Sequence, residues 1–308
     1  MKGGCIGKYF IYLSYKKIML KDGYTLMHEH IFIDLSGVKK LDDCRLDCKD
    51  ETIEEFKELY KNGVRNVTEV TNIGMGRDIN YIREVSEKSG INVICATGFY
   101  KEPFYPEFVY EKNEKALSEI MKKEILEGID GTGIKAGIIG EIGSSKDKIT
   151  ETELKVFKSA IITHLETGIP ITTHTSLGTM GHEQVKLFKE YKVNLDKIVI
   201  GHVDLNGNTE YILKMLYDGV YVEFDTIGKN NYLLDDIRVE MLKEIEKREL
   251  IDRVFLSMDI TRKSNMKYSG GIGYNYIFEV FLPKLREAGI KESSIEKMLK
   301  TNPENFYK

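Results

Sequence analysis

The chain has 308 residues, of which 42% are hydrophobic and 31% charged, with a net charge of −4. That balance shows none of the basic excess of a nucleic-acid binder, and five prolines without biased tracts argue against disorder. No stretch approaches an apolar membrane span, and the four cysteines (Cys5, Cys44, Cys48 and Cys95) form no zinc-ribbon pattern, so they read as free thiols of a cytoplasmic protein.

Residues 1–18 read as an N-terminal extension, such as an extra strand or hairpin. The apolar run from Tyr9 to Leu13 is too short for a secretory segment and is closed by Ser14, Lys16 and Lys17. Met19 is a candidate alternative start, and residues 19–308 read as one domain. In that domain, strands are expected at 24–30, 64–71, 91–100, 135–142, 169–175, 197–204, 220–227 and 253–259. Between them fall helices at 52–62, 76–89, 107–127, 151–167, 180–191, 208–218 and 235–248. Two more, at 274–288 and 293–301, close the chain. Glycines 63, 90, 168 and 219 end helices at similar points in successive units.

Eight apolar strands, each followed by a helix, imply parallel pairing with right-handed crossovers. With no residues left for a second domain, the fold class is α/β, a distorted (β/α)8 TIM-type barrel. An open doubly wound sheet would show a glycine-rich fingerprint after the first strand, and none is present.

Barrel chemistry collects at the C-terminal ends of the strands. His28 and His30 lie a residue apart on the first strand, on one face, with Glu29 on the other. Glu141 ends the fourth strand, His174 the fifth, His202 the sixth and Asp259 the eighth. Four of the six histidines thus fall on one rim. Each alone reads as a hydrogen-bonded core residue; together they read as a metal site. Four imidazoles and two carboxylates suit a pair of divalent ions, with zinc first and Mn2+, Co2+ or Fe2+ as alternatives. His28, His30 and Asp259 are assigned to one ion, His174 and His202 to the other, and Glu141 to a bridge. A water between the ions would be acidified to hydroxide, with Asp259 handling its proton. His164, inside a helix, reads as structural, and His182 as a candidate substrate contact.

The motifs GYTLMHEHIFIDLSG, GIKAGIIGEIGSS, THTSLGTMG, GHVDLNGN, FDTIGKN and LSMDITRKS together resemble the phosphotriesterase family of the amidohydrolase superfamily, and within it the bacterial phosphotriesterase homology proteins. The resemblance runs from Gly23 to Tyr307. It implies a binuclear zinc centre on the same six residues, and a homodimer. Organophosphate hydrolases of the family bridge their metals with a carbamylated lysine; Glu141 stands at that position here. Lys135 lies six residues earlier, roughly 20 Å away in extended chain. The histidine that follows the strand-seven aspartate in those enzymes is Thr226 here, and their relay's further acid is Leu205. These departures argue against organophosphate hydrolysis as the native task.

Lys229 and Arg262 lie on the loops after strands seven and eight, where barrels commonly bind phosphate. They read as anchors for an anionic small molecule. Tyr100 resembles the tyrosine that faces the metals in the family's lactonases. The sequence thus leads to hydrolysis of a lactone or phosphorylated sugar lactone, with phosphoester hydrolysis second. A mononuclear deaminase and a non-catalytic metal-containing binding protein are the remaining alternatives.

Overall fold

The computed structural model describes residues 18–308. The strand or hairpin expected for the N-terminal extension therefore lies, apart from Ile18, outside the described residues. Eight strands form one parallel sheet in sequence order. They are β1 (Tyr24–Glu29), β2 (Val64–Glu69), β3 (Asn92–Thr97), β4 (Ile138–Ser144), β5 (Ile171–Thr175), β6 (Ile198–Gly201), β7 (Tyr221–Phe224) and β8 (Val254–Leu256). The principal intervening helices are α1 (Lys49–Lys61), α2 (Ile79–Ser89), α3 (Glu114–Leu126), α4 (Glu151–Thr167), α5 (Gly181–Glu190), α6 (Thr209–Asp218) and α7 (Asp235–Lys247). This is the TIM-type barrel expected from the repeated units.

The helices bury one apolar stripe each against the outside of the barrel. In α1 that stripe includes Ile53, Phe56 and Leu59; in α2 it includes Ile79, Ile82 and Val85. α4 begins with a capping box. Thr150 Oγ1 accepts the Glu153 N–H at 3.2 Å, and the Glu153 carboxylate accepts the Thr150 N–H at 2.8 Å. Inside the barrel, Met27, Ile94, Ala96, Ile138, Val199, Tyr221 and Phe255 pack with Phe306 and Tyr307 of the last helix (Asn302–Tyr307). Tyr221, Phe255 and Ile138 lie at or near the starts of their strands, so this aromatic plug closes the end of the barrel opposite the histidines.

Several details depart from the sequence expectation. The helix expected at 107–127 is split, with Glu107–Glu111 separated from α3 by an N-cap at Asn113, whose side chain accepts the Ala116 N–H. The loop after β1 holds a two-residue antiparallel ladder, Ile33–Asp34 with Arg45–Leu46. The C-terminal helices contain wider π-type turns at Ile277–Phe281 and Lys297–Thr301. Glu141 does not end β4 but sits inside it. Between Ile139 and Ile142 the register against β5 gains one residue, and β1 gains one in the same way against β2 between Leu26 and Glu29. Each bulge turns the strand where it carries a histidine or carboxylate of the candidate site.

β1 and β8 meet through side chains. Ser257 Oγ accepts the N–H groups of Met27 and His28 at 2.8 and 2.9 Å. The Glu29 carboxylate accepts Met258 N–H at 2.7 Å and Ile260 N–H at 3.3 Å, and His28 O accepts the Asp259 N–H at 3.3 Å. Glu29 is fully buried, so removing its carboxylate strands two buried donors, at about 1–3 kcal/mol each. Glu29→Ala is therefore expected to lower the unfolding free energy by about 2 kcal/mol or more, and Glu29→Gln by less. Denaturant titration checks this; a change below about 0.5 kcal/mol in the alanine variant would show that the seam is held by other contacts.

Candidate metal centre

The C-terminal ends of the strands bring the six candidate residues together. His28 lies in the β1 bulge and His30 just beyond β1; His174 lies in β5; His202 follows β6 directly; and Asp259 lies three residues past β8. His202 and Asp259 adopt left-handed backbone conformations, with φ of 57° and 50°. These are uncommon for side-chain-bearing residues and turn both chains sharply at the barrel mouth.

Glu141 is the hub. Its Oε2 lies 3.5 Å from His28 Nε2, 3.1 Å from His174 Nδ1 and 3.4 Å from His202 Nε2, and its Oε1 lies 3.5 Å from His30 Nε2. Asp259 Oδ1 lies 3.3 Å from His30 Nε2 and 3.9 Å from His28 Nε2. Among the described residues three groups have the spacing of a divalent-cation ligand set: His28, His30 and Glu141; Glu141, His174 and His202; and His28, His202 and Asp225. Glu141 is common to the first two. Among the described residues, the Nε2 atoms of His28 and His30 are buried without a hydrogen-bond partner. Orphaned imidazole nitrogens aimed at a shared carboxylate fit divalent cations with nitrogen and oxygen ligands.

The opposite ring nitrogens are held in place. His28 Nδ1 lies 3.1 Å from Glu223 Oε2 and 3.4 Å from Asp225 Oδ2. His202 Nδ1 lies 2.8 Å from Asp225 Oδ1, and His30 Nδ1 lies 2.7 Å from Thr71 Oγ1. A carboxylate on Nδ1 fixes the tautomer that leaves Nε2 free as a ligand and raises its basicity. The sequence reading passed over Glu223 and Thr71 and cited Asp225 only for the residue that follows it. Their signal was present for Glu223 and Asp225, two carboxylates spaced by two at the end of β7, on one face.

Charge separates the imidazoles. Burial opposes protonation of His28, but Asp225 and Glu141 outweigh it and push its pKa up to about 9. For His30, burial is likewise outweighed, by Asp259 and Glu141, and the pKa rises to about 10. His202 is raised well above its ordinary value, with Asp225 overcoming burial. His174 falls to about 4 through burial and the neighbouring His202. Burial acts to raise Glu141, yet His28 and the other imidazoles hold it well below the usual carboxylate range. Asp259 is also held low, by Lys229 and then His30 against burial.

The other predicted site residues are placed as follows. Tyr100 Oη lies 3.3 Å from His174 Nδ1, and its ring packs edge-on to that imidazole at 4.8 Å. Lys229 and Arg262 line one cavity of about 520 Å3 together with His174, His202, Asp259, Thr226, Tyr232 and Asn265. The Lys229 ammonium is not a free loop charge: it donates to the backbone oxygen and carboxylate of Asp259. Arg262 is partly exposed and lies 3.7 Å from Asp43. His164 is buried, with Nδ1 2.8 Å from the Ile169 carbonyl oxygen. His182 packs against Tyr211 and does not line this cavity.

Residues 19–307 match the model of the phosphotriesterase family. The chain belongs to that family. It is 48% identical over 285 residues to the phosphotriesterase homology protein of Escherichia coli (strain K12), covering 92% of this chain and 98% of that protein. The crystal structure of the E. coli protein, complexed with phosphate in its active site, matches with a TM-score of 0.92 over 93% of this chain and 99% of that one. The crystal structure of a lactonase from Listeria monocytogenes matches with a TM-score of 0.89 at 26% identity, over 93% of this chain and 94% of that one. An aryldialkylphosphatase of Saccharolobus solfataricus is 30% identical over 298 residues, covering 92% of this chain and 95% of that protein. The phosphotriesterase family is a family of metal-dependent hydrolases, and its members similar to this chain include lactonases and an aryldialkylphosphatase. Among the described residues, no helix is long and apolar enough to cross a membrane.

The raised imidazole pKa values predict that a divalent cation must displace protons from His28 and His30. Affinity is therefore expected to rise with pH and to level off only above about pH 10, where His30 is already neutral. Calorimetry of zinc binding at pH 7 in buffers of different ionisation enthalpy should show net proton release, and none would contradict it. Asp225→Asn, which weakens the hold on His28 and His202, is expected to lower zinc affinity about 10–100-fold.

Proposed function

We propose that this phosphotriesterase-family hydrolase holds two divalent cations, zinc in the first instance, and hydrolyses the ester bond of a lactone or phosphorylated sugar lactone. One observation carries this reading: two ligand sets share Glu141, and His174, His202 and Asp259 of the same cluster line a cavity large enough for a small molecule. His28, His30 and Asp259 would hold one cation, His174 and His202 the other, with Glu141 common to both. When bound, such cations supply an activated water and an electrophilic contact for the substrate's carbonyl.

The chain's own residues do the rest. Asp259 lies at the edge of the cluster, with its carboxylate facing both His30 and the cavity. Held ionised by Lys229, it accepts the proton lost from the attacking water and passes it to the leaving oxygen. Lys229 orients that carboxylate by donating to it and to the backbone oxygen of the same residue. Tyr100 fixes the face of His174 and closes that side of the cluster against solvent. Arg262, with a weak contact to Asp43, is positioned to grip an anionic group on the substrate. Glu141 requires no carbamylation to serve both ligand sets. The phosphate reported for the E. coli relative favours phosphoester hydrolysis as the second reading.

The test is a panel of lactones, phosphorylated lactones, phosphotriesters and N-acyl amines given to metal-replete protein. Turnover of lactones well above the other classes is expected. Glu141→Ala is expected to lower kcat/KM at least about 100-fold. Turnover of phosphotriesters or amides in preference to lactones reassigns the substrate. A metal-replete protein silent on every class leaves a binding function in place of catalysis.

A further inference from the structure

Lys101 follows Tyr100 in the loop after β3, and its side chain is half-buried. Its Nζ donates to the backbone oxygen of Glu102 at 3.3 Å, and among the described residues it makes no ion pair with a carboxylate. The acids nearest in charge are engaged elsewhere. Glu153 accepts from Ser145 Oγ at 2.6 Å and from the Thr150 N–H, while Glu141 is enclosed by four imidazoles. Burial lowers the Lys101 pKa, the charges of Glu153 and Glu141 oppose that, and the charge of Lys39 adds to it, with a net lowering. A partly buried ammonium that makes no ion pair with a carboxylate keeps donors available for an anion from solution.

Its place in the fold says what could. A Cβ built on Gly143 would come within 3.1 Å of Lys101 Cβ and 3.2 Å of His174 Cβ. The bare glycine therefore lets the Lys101 stem run beside His174, at the edge of the candidate metal centre. Lys39, in the loop after β1, is exposed, lines the same cavity as His174 and Asp259, and makes no ion pair among the described residues. Both ammonium groups lie 5.8 Å from the centroid of the Phe104 ring. Like charges gathered around one ring are mutually repulsive unless an anion joins them. Other cations of the rim are already engaged: Lys229 with Asp259, and Lys263 with Asp47 at 2.6 Å.

We propose that Lys101 and Lys39 form a subsite for the anionic group of the substrate, a phosphate or a carboxylate, beside His174. The proposal deepens the hydrolase reading and rests on it for the identity of the occupant as substrate. It adds two residues from the loops after β1 and β3 to the anchor assigned to Arg262 on the loop after β8.

The experiment is calorimetric titration of metal-loaded protein with ribose 5-phosphate and with ribonate, with ribose as the neutral control. Metal content and thermal unfolding of each variant check that it is folded and loaded. Lys101→Met and Lys39→Met are each expected to weaken the favoured anion about tenfold, and Lys101→Arg to restore most of the loss. Whichever anion shows the loss identifies the group that the subsite takes. If wild type binds neither anion, or if Lys101→Met binds both as wild type does, the subsite is overturned. On an anionic lactone, Lys101→Met should raise KM with little change in kcat. Because the primary readout is binding, a failure of the hydrolase reading appears as wild type without turnover, and a failure of the subsite as unchanged anion affinity.

Discussion

The Glu141 carboxylate, buried with an imidazole nitrogen of four different histidines within 3.5 Å, constrains everything around it. An ionised carboxylate in such a place costs several kcal/mol unless positive charge surrounds it. The chain meets that requirement by converging β1, β5 and β6 on β4. The local backbone is shaped for it. Gly140 has φ of 136°, and a Cβ there would come within 2.1 Å of the Thr172 oxygen, so no residue but glycine can precede Glu141 in this geometry. The β4 bulge then places Glu141 among the histidines.

Barrel closure and the candidate metal centre share the same residues. In β1, His28 and His30 face the centre while Glu29 between them holds the N–H groups of Met258 and Ile260. Beyond β8, Ser257 takes the β1 donors while Asp259 faces His30. The alternation of a strand thus splits one stretch between two tasks, closing the seam on one side and presenting ligands on the other. A second layer of support comes from β7, where Asp225 reaches both His28 and His202 and Glu223 reaches His28. The loops that carry His202 and Asp225 are in turn tied by fully buried Arg238, which donates to Asp204 at 2.6 Å and to Thr226 Oγ1 at 2.8 Å.

Much of this was legible because it follows from periodicity. Eight apolar segments separated by amphipathic helices imply the barrel, and the rule that barrel chemistry sits at strand C-termini gathers His28, His30, Glu141, His174, His202 and Asp259 before any coordinates are known. What periodicity cannot register is an extra residue. The bulges at Met27–His28 and Gly140–Glu141 depend on how two strands pair, a long-range property, so Glu141 was expected at the end of its strand rather than inside it. The side-chain seam between β1 and β8 was hidden for the same reason, since Glu29 and Ser257 are more than two hundred residues apart. Lys229 was legible as a rim cation, but its engagement with Asp259 depends on the left-handed turn at Asp259. Lys101 was passed over because a lone lysine in a loop reads as solvated surface, and only its burial beside His174 distinguishes it.

Glu141 is proposed to serve two cations at once. Anomalous X-ray diffraction at the zinc absorption edge, from crystals of zinc-loaded protein, tests it most directly. Two anomalous peaks are expected to flank the Glu141 carboxylate, one against His28 and His30 and the other against His174 and His202. A single peak, or two peaks of which only one contacts Glu141, would contradict it.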